Sequence, residues 1–524
     1  MTSSPAPTVS GRGMTMSDLI ARYSRTSPDA VAFRDGELTL TWSRTHERIT
    51  RLASVLTAEG VGPGDRVAVM GLNSVPQIEA MAAILRVGAI CVPVNFRLVA
   101  DEVAYALTDS GATAVLVDDV FAPVVDAARA QAPDVRAVLT IGAGYEDVLA
   151  AGSPEYSELA VGDGEPAFIM YTSGTTGRPK GAVLTHRNLM VHAFSNVVHA
   201  GVSSEDRVGM SGAPLFHIAG VSGFYLNLIV CGATVLSPSG GFDPVAMVDL
   251  LERERISSVF FVPAQWAAIV AVPGIRDRDL SALRRASWGA APASTTLLRT
   301  MIDTFPQAEI VTAFGQTECS PVTCALRGED SIRKIGSIGT PMINVEVRVV
   351  DDDMNDVAQG EVGEIVYRGP TVMSGYWNKP EETAEAFRGG WFHSGDLVRQ
   401  DEDGYLYVVD RKKDMIISGG ENIYCAEVEN TLAAHPKVAE VALIGVADAK
   451  YGEAPLAIIA PRDPADPPTA QDVETFCREH LAAYKRPRDV VIVAALPRNP
   501  SGKVLKTVLR DEYGASRVVA APAV

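Results

Sequence analysis

The sequence contains few of the features that mark secreted, membrane-spanning or zinc-binding proteins. Its six cysteines include no Cys-x-x-Cys pair, and its eight histidines do not cluster with them at the spacing of a zinc site. No apolar run reaches the ~20 uninterrupted residues of a spanning helix. The Ser/Pro/Gly-rich start also lacks the apolar segment of a signal peptide. We therefore expect a soluble, cytoplasmic protein with reduced thiols and no membrane span.

Basic residues are in the minority. The 46 Lys and Arg residues stand against 64 Asp and Glu residues, which gives a formal charge of −18, and no long basic run is present. This balance argues against a nucleic-acid partner, although a local basic loop in an acidic protein can still bind phosphate. Hydrophobic residues make up 47% of the 524 residues, an ordinary globular value, and the length suggests about three domains.

The hydrophobic pattern predicts an α/β fold built from two units. As far as about residue 314, strand-like runs such as 66–72 alternate with helical patterns such as 75–87, which is typical of sheets covered by helices. Short alternating strands after about residue 336 predict a smaller antiparallel part or a small β-barrel. We place the large N-terminal body at residues 1–410 and a smaller α+β domain at 411–524.

The strongest local signal is a loop rich in glycine and threonine that follows an apolar strand. Residues 167–181 read AFIMYTSGTTGRPKG. Glycines let successive N–H groups turn toward one anion, hydroxyls add donors, and Arg178 and Lys180 add positive charge. The common P-loop differs, because there Ser or Thr follows the lysine and a helix follows the loop. The segment predicts a polyphosphate-binding loop between two strands.

This loop resembles the phosphate loop of the adenylate-forming superfamily, which contains acyl-CoA synthetases, luciferases and peptide-synthetase adenylation domains. Further motifs follow in the order of that superfamily: PLFH at 214–217, SWGAAP at 287–292, AFGQTE at 313–318, WFHSGD at 391–396, DRKKDMIISGGENIY at 410–424 and PRNPSGKVLK at 497–506. The resemblance covers roughly residues 28–513 and is strongest to actinobacterial fatty-acid–CoA ligases.

The resemblance implies a site for ATP and Mg²⁺. Glu318 matches the residue that helps to hold Mg²⁺, Asp396 matches the ribose ligand, and Phe314 matches an aromatic residue on the adenine face. The implied contacts of ATP or AMP are Thr172, Ser173, Gly174, Thr175, Thr176, Gly177, Lys180, Gly289, Ala290, Ala291, Phe314, Gly315, Gln316, Thr317, Asp396, Arg411 and Lys503.

The implied catalytic residues are Lys503, His217, Glu318 and Thr172. Lys503 matches the lysine that reaches the substrate carboxylate and the α-phosphate from the C-terminal domain. His217 matches a residue at the floor of the acyl site. A lysine beside glycine is ordinarily an exposed turn residue, and a lone histidine in an apolar strand is equally well a core histidine.

The implied acyl site is apolar and carries no charged residue. Its predicted lining is His217, Ile218, Ala219, Val221, Val262, Trp288 and Gly289. The small residues leave space for a long chain, so we expect a medium- or long-chain fatty acid, whereas the bulk of Trp288 favours an aromatic or short acid. A carrier-protein ligase and a luciferase-like oxygenase remain as alternatives. A non-catalytic nucleotide-binding protein is disfavoured because Lys503 and Glu318 are both present.

Coenzyme A is the implied second substrate. In the superfamily the C-terminal domain rotates between adenylation and thioester formation, and the pivot matches Lys413. The candidate coenzyme A contacts are Arg97, Ser418, Gly419, Gly420, Glu421, Tyr451, Lys485, Arg486 and Arg488. Their basic members equally fit a solvated surface cluster. The resemblance leaves open a homodimer and a peripheral membrane contact.

Overall fold

The computed structural model describes residues 14–156, 159–172, 178–203, 206–237, 239–291, 293–419, 421–448, 450–498 and 504–514. Four β-sheets organise these residues, and we number strands and helices in chain order. Among the described helices, none combines the length and the apolar character needed to cross a bilayer.

A mixed sheet of seven strands carries the predicted phosphate loop. Its spatial order is β18 (Gly375–Tyr376), β8 (Lys180–Thr185), β7 (Pro166–Thr172), β4 (Ile90–Pro93), β3 (Arg66–Met70), β5 (Ala112–Val117) and β6 (Ala137–Thr140). Strands β7 through β6 are parallel, whereas β8 pairs antiparallel with β7, and β18 with β8. The near-continuous apolar run of β3 reflects burial on both faces of a parallel sheet.

A second sheet of nine strands supplies the opposite wall of the candidate site. Its spatial order is β15 (Thr340–Pro341), β14 (Val322–Leu326), β13 (Glu309–Gly315), β12 (Arg285–Gly289), β11 (Ser258–Phe261), β9 (Val208–Ser211), β10 (Ala233–Leu236), β1 (Val31–Asp35) and β2 (Leu38–Thr41). The strands from β13 to β1 are parallel, so the carboxyl ends of β9, β11, β12 and β13 lie at one edge.

Helices cover both sheets in layers. A shared core joins one face of each sheet to α1 (Met16–Thr26), α2 (Trp42–Ala58), α3 (Val75–Arg86), α6 (Tyr145–Ala151), α7 (His186–Ala200) and α8 (Ile218–Ile229). The outer faces carry α4 (Ala100–Ser110) and α5 (Ala122–Arg129) on the seven-stranded sheet, and α9 (Pro244–Arg253), α10 (Pro263–Val270) and α11 (Thr295–Thr304) on the other. This layering confirms the predicted α/β class.

The third sheet is antiparallel, as predicted. Its order is β16 (Glu346–Val350), β17 (Val362–Arg368), β19 (Phe392–Gln400) and β20 (Leu406–Arg411), and α12 (Pro380–Ala386) lies between β18 and β19 in the chain. The pairing is open, so among the described residues the expected small barrel is a four-stranded sheet. Asp/Gly turns between short strands favour antiparallel pairing without requiring closure of the sheet.

The fourth sheet contains only residues beyond 415. Its strands are β22 (Glu421–Ile423), β21 (Ile416–Ser418), β24 (Gly452–Pro461), β23 (Val438–Asp448) and β25 (Asp489–Ile492), and its helices are α13 (Cys425–Ala433), α14 (Ala470–His480) and α15 (Lys506–Tyr513). The strands of the other three sheets end at or before Arg411. The boundary near residue 410 remains a prediction that agrees with this division.

Candidate active site

Two adjacent strands form the base of the predicted phosphate loop. Thr172 ends β7 and Lys180 begins β8, and the two residues are antiparallel partners. The Thr172 hydroxyl donates to the Lys180 carbonyl oxygen at 3.4 Å. The structure thus confirms that the loop joins two strands. The predicted phosphate contacts Ser173, Gly174, Thr175, Thr176 and Gly177 lie outside the described residues.

A carboxylate on α4 supports this loop base from the outer face of the sheet. The Tyr171 hydroxyl donates to Asp109 Oδ2 at 2.8 Å, and Lys379 Nζ lies 3.1 Å from Asp109 Oδ1. The Tyr105 hydroxyl donates to the Pro179 carbonyl oxygen at 2.9 Å. Sequence analysis missed Asp109, Tyr105 and Lys379, because no motif contains them and only tertiary folding brings them to the loop.

Glu318 lies close to the phosphate strand. It belongs to a single 3-10 turn, Thr317–Cys319, that follows β13, and it is only 8% exposed. The Tyr376 hydroxyl donates to Glu318 Oε1 at 3.0 Å, and Lys180 Nζ lies 5.0 Å from the centre of the Tyr376 ring. Burial raises the pKa of Glu318, whereas the Tyr376 hydrogen bond and the charges of Arg411 and Lys180 oppose that rise.

Asp396 and Arg411 form a partly buried ion pair beside Glu318. They are antiparallel partners on β19 and β20, and Arg411 Nε lies 2.9 Å from Asp396 Oδ1. Asp396 is 4% exposed, and its N–H donates to the Ser394 hydroxyl at 2.9 Å. The charge of Arg411 acts on Glu318 as well, so the predicted ribose and magnesium residues share one neighbourhood.

The ends of β12 and β13 form a flat backbone surface. A β-carbon on Gly289 would lie 2.1 Å from the Ala313 carbonyl oxygen, so only glycine fits there. Ala290 and Ala291 follow at the strand end, and Ala290 adopts a left-handed φ of 66°. The Phe314 ring is partly exposed on the neighbouring strand. A planar base fits between such a surface and an aromatic ring, as the resemblance implies.

The turn after β13 presents a buried donor that has no partner in the part of the chain that the structure describes. Gly315 needs its φ of +152°, because a β-carbon there would lie 2.0 Å from the Pro321 carbonyl oxygen. The Gln316 N–H donates to that same oxygen at 2.9 Å. The Gln316 side-chain Nε2 is buried and has no hydrogen-bond partner among the described residues. Buried unpaired donors are costly, so Gln316, next to Thr317, fits contact with a bound ligand.

His217 caps a helix and does not lie in a strand, which corrects the expectation from the sequence. It is the N-cap of α8, and its Nδ1 accepts the Ala219 N–H at 3.2 Å. This hydrogen bond requires an unprotonated Nδ1. Burial lowers the pKa of His217 to about 4, so the ring is neutral near pH 7. A neutral imidazole at this position orients a neighbour and adds no positive charge.

Helix α8 has a buried face and a partly exposed face. Ile218 and Val221 are each 1% exposed and pack in the shared core, so their predicted role as acyl lining is not supported. The partly exposed residues recur at helical spacing on the other side, at Ala219, Ser222, Gly223 and Leu226. A β-carbon on Gly223 would lie 3.1 Å from Ser211 Cβ, which shows that this face lies against β9.

The sheet opposite that helix face presents residues that sequence analysis missed. Ser211, Phe260 and Ser287 are register partners on β9, β11 and β12, and all three are partly exposed. Phe260 Cε2 lies 3.5 Å from the position of a β-carbon on Gly289. These residues and Ala219, Ser222, Gly223 and Leu226 form what we call the acyl-site walls. Val262, the residue after β11, is the partly exposed N-cap of α10.

The predicted acyl contact of Trp288 is not supported by its surroundings. Trp288 is 7% exposed and packs in the outer core, together with its register partner Phe261. Successive side chains of a strand point to opposite faces, so Ser287 faces α8 and Trp288 faces away. Alternation along the sequence indicates that the two side chains point to opposite faces, but it does not indicate which of them faces α8.

Part of the predicted coenzyme A site forms a cluster. The Gly419 N–H donates to the Tyr451 carbonyl oxygen at 2.7 Å. The guanidinium carbon of Arg488 lies 4.0 Å from the centre of the Tyr451 ring. Ser418 and Glu421 are register partners at the end of the β21–β22 hairpin, and Gly420 lies outside the described residues.

The other predicted coenzyme A contacts have different partners. Lys485 Nζ lies 2.7 Å from Glu427 Oε1, and Arg486 Nε donates to the Leu481 carbonyl oxygen at 3.0 Å. The guanidinium carbon of Arg97 lies 4.6 Å from the Phe96 ring centre. Lys485 is thus in an ion pair, and Arg97 belongs to the N-terminal body.

Two residues are predicted to operate the C-terminal domain, Lys413 as its pivot and Lys503 as its catalytic lysine. Lys413 lies in the turn between β20 and β21, and burial lowers its pKa. The next residue, Asp414, accepts a hydrogen bond from Arg510 on α15 at 2.6 Å. Lys503 lies outside the described residues, and a β-bridge between Arg498 and Val504 flanks its segment.

These features define an α/β nucleotide-binding protein whose site lies at the carboxyl edge of parallel strands. The profile of the family described as "AMP-binding enzyme" matches residues 20–377, and that of the "AMP-binding enzyme C-terminal domain" matches residues 427–503. The chain therefore belongs to the AMP-binding enzyme family, which confirms the resemblance read from its motifs.

Three relatives illustrate the range of this family. A feruloyl-CoA synthase of Amycolatopsis sp is 42% identical over 493 residues, which are 94% of this chain and 98% of that protein. A long-chain-fatty-acid–CoA ligase of Mycobacterium tuberculosis is 38% identical and covers 92% of this chain and 94% of its own. The o-succinylbenzoate coenzyme A synthetase of Bacillus subtilis, solved with ATP and magnesium ion, is 30% identical with a TM-score of 0.85, covering 94% and 99% of the two chains.

Proposed function

We propose that this chain is an AMP-forming acid–thiol ligase that activates a carboxylic acid with ATP and transfers the acyl group to coenzyme A. The observation that carries the proposal is the cluster around Glu318. Lys180 at the loop base, Tyr376 and the Asp396–Arg411 pair all surround that buried carboxylate. The residues proposed to bind phosphate, ribose and the cation thus lie near one another, which supports activation of an acid by ATP.

The first half-reaction needs no protein nucleophile. A carboxylic acid with a pKa of ~4–5 is ionised at neutral pH and attacks the α-phosphorus itself, with pyrophosphate as the leaving group. Repulsion between the carboxylate and the polyphosphate is the main obstacle. Lys180 and Lys503 oppose that repulsion with positive charge, and the loop and strand ends hold the reactants in line. His217, which is neutral, contributes orientation.

The residues present fit a magnesium ion carried on the nucleotide. The described residues contain no group of three His, Cys, Asp or Glu side chains that could hold a metal by themselves. A hard cation that keeps several waters and the phosphate oxygens needs one or two carboxylate ligands from the protein. Glu318 is the residue that would supply one, and bound Mg²⁺ would offset charge on the phosphates.

The second half-reaction is attack of the coenzyme A thiol on the acyl-adenylate, which releases AMP and a thioester. We propose that the C-terminal domain rotates about Lys413 between the two steps, as the resemblance to the adenylate-forming superfamily implies. The cluster of Gly419, Tyr451 and Arg488 is the candidate contact for the nucleotide end of coenzyme A, because a guanidinium stacked on an aromatic ring suits phosphate and base recognition.

The acyl-site walls favour an aromatic acid. Phe260 lies beside Gly289, and its register partners Ser211 and Ser287 flank it on the neighbouring strands, with Ser222 on the facing helix α8. Ser211 Oγ accepts the Ala213 N–H at 3.2 Å, and the Ser222 hydroxyl donates to the Ala219 carbonyl oxygen at 3.2 Å. These hydroxyls can still form further hydrogen bonds with polar substituents of an aryl ring, and the ring itself can pack against Phe260. The 42% identity to a feruloyl-CoA synthase supports this choice.

A medium- or long-chain fatty acid is the second candidate. Ala219 is small and partly exposed on α8, and each methylene buried beside it would contribute about 0.8 kcal/mol. The 38% identity to a long-chain-fatty-acid–CoA ligase supports this candidate. Transfer to a carrier protein and luciferase-like oxidation share the first half-reaction, so product analysis is required to distinguish them.

Release of pyrophosphate is the test. The purified protein is assayed with ATP and Mg²⁺ against straight-chain acids from acetate to eicosanoate and against benzoate, cinnamate and ferulate, with and without coenzyme A. We expect pyrophosphate and acyl-CoA from the substituted cinnamates first. Pyrophosphate without any thioester would refute transfer to coenzyme A, and no pyrophosphate from any acid would refute the proposal as a whole.

A further inference from the structure

Tyr376 joins the two large sheets at the candidate site. It lies in β18, whose partner β8 begins with Lys180, and it pairs with Ala182 of that strand. The flanking Trp377 N–H donates to the Gly181 carbonyl oxygen at 2.8 Å. The backbone of Tyr376 is therefore fixed to the strand that leaves the phosphate loop.

The same segment holds Glu318 in two ways. The Tyr376 hydroxyl donates to Glu318 Oε1 at 3.0 Å, and the Met373 N–H donates to the Glu318 carbonyl oxygen at 2.7 Å. Glu318 belongs to the turn after β13 of the nine-stranded sheet. The side chain of Glu318 is thus tied to the edge strand β18, and its main chain is tied to the segment just before that strand.

The position of Tyr376 is itself constrained. Its N–H donates to the Thr383 hydroxyl at 2.9 Å. The preceding Gly375 has a φ of +147°, and a β-carbon there would lie 2.8 Å from Thr383 Cγ2, so no other residue fits. A tyrosine anchored in this way presents its hydroxyl at one place with little loss of side-chain entropy on binding.

We propose that Tyr376 is a positioning residue, which holds the Glu318 carboxylate at a fixed place beside Lys180 so that it can serve the magnesium ion of ATP. The inference rests on the proposed function. A carboxylate offers about four lone-pair sites, so a hydrogen bond from Tyr376 leaves capacity for a cation. Lys180 Nζ lies 5.0 Å from the centre of the Tyr376 ring, so the same side chain contacts both charged groups.

The test uses nucleotide binding and does not depend on turnover. Tyr376→Phe removes the hydroxyl and keeps the ring beside Lys180. We measure ATP binding by calorimetry, once with excess Mg²⁺ and once with EDTA. Loss of a hydrogen bond to a charged group corresponds to a factor of about ten in affinity. We therefore expect about tenfold weaker binding with Mg²⁺ and a change of less than about twofold in EDTA.

Kinetics separates positioning from a general structural defect. In Tyr376→Phe, the KM for ATP should rise by about the same factor as the dissociation constant, whereas the KM for the acid stays unchanged. Tyr405→Phe is the matched control. It removes a hydrogen bond from a tyrosine to the Asp330 carboxylate in the same body, away from the site. We expect ATP binding by this control to equal that of the parent protein under both conditions.

A double variant shows whether Tyr376 acts through Glu318. With Glu318→Gln already present, Tyr376→Phe should change MgATP affinity by less than about twofold. Equal losses with and without Mg²⁺, or full additivity with Glu318→Gln, would overturn the inference. A parent protein that binds MgATP but never releases pyrophosphate would contradict the proposed function alone, because the positioning of Glu318 would still be measurable.

Discussion

Arg411 Nε lies 2.9 Å from Asp396 Oδ1, and the two residues face each other across β20 and β19. Asp396 is the predicted ribose ligand, and Arg411 immediately precedes the Lys412–Lys413 segment that leads to the C-terminal sheet. The strand that leads to the predicted pivot is therefore tied to the nucleotide site by an ion pair. Ribose hydroxyls that bind the Asp396 carboxylate would share that carboxylate with Arg411.

Asp396→Asn should weaken ATP binding. The substitution keeps the size of the side chain but removes the charge that pairs with Arg411 and that accepts strong hydrogen bonds, so we expect about a tenfold rise in the ATP dissociation constant. Calorimetry with ATP provides the measurement. Asp356→Asn is the control, because it breaks an exposed pair with Arg348 in the same sheet region. An unchanged ATP affinity in Asp396→Asn would rule out its ribose role.

Lys503→Ala should separate the two half-reactions. We expect adenylation, followed as pyrophosphate release, to fall by at least about a hundredfold, because the charge that offsets repulsion at the α-phosphate is lost. Thioester formation from supplied acyl-adenylate should persist, since it does not use this charge. Lys437→Ala, which removes an exposed pair with Asp466 in the same domain, is the control. Equal loss of both half-reactions would contradict the rotation about Lys413.

Ser287 and Trp288 should have opposite phenotypes although they are neighbours. Trp288→Leu removes a core side chain, so we expect a loss of about 2–4 kcal/mol in the free energy of unfolding and an unchanged order of preferred acids. Ser287→Leu places a larger side chain on the acyl-site walls, so we expect a changed order of preferred acids. The free energy of unfolding should change by less than about 1 kcal/mol. Denaturant titration and pyrophosphate assays across the acid series give both readouts. A changed order of acids in Trp288→Leu alone would restore its predicted acyl contact.

Asp410 should make stability depend on pH. Burial raises its pKa to about 6, above the ~3.9 of an unfolded chain. Between these values the folded protein holds a proton that the unfolded chain has released, so the contribution of Asp410 to stability is present below about pH 4 and is lost as the pH rises through about 6.

The matching variant is Asp410→Asn, which keeps an acceptor for the Cys425 N–H. We compare the free energy of unfolding of the parent protein with that of the variant. The parent value minus the variant value should fall by roughly 2–3 kcal/mol between about pH 4 and 7, because each unit of pKa difference corresponds to about 1.4 kcal/mol. Denaturant titrations at several pH values measure this difference. The exposed Asp356→Asn control should vary by less than about 1 kcal/mol over the same range. A constant or rising difference for Asp410→Asn would show that its carboxyl is not desolvated.

Much of the fold followed from local patterns. The apolar run at residues 66–72 predicts β3, and the helical spacing at 75–87 predicts α3. In both cases the period at which apolar residues recur along the chain indicates the type of element that can bury them. The strand pair around residues 173–177 was predicted for a similar reason, since an apolar run on each side of a Gly/Thr loop leaves few other arrangements. The prediction that His217 lies in a strand was wrong, because an apolar segment does not by itself show at which residue a helix begins.

The sequence by itself determined the sheet-and-helix architecture, the motifs and the class of chemistry, because each of these depends on residues that are close along the chain. Only the tertiary structure decided that Tyr376 contacts Glu318, that Asp109 supports the phosphate loop, and that Ser287 rather than Trp288 faces α8. Those contacts join residues that are far apart along the chain, by 62 positions for Tyr171 and Asp109 and by 270 for Lys379 and Asp109, on elements from different sheets and layers. Their partners are chosen by how the layers pack, and the local pattern carries no record of that choice.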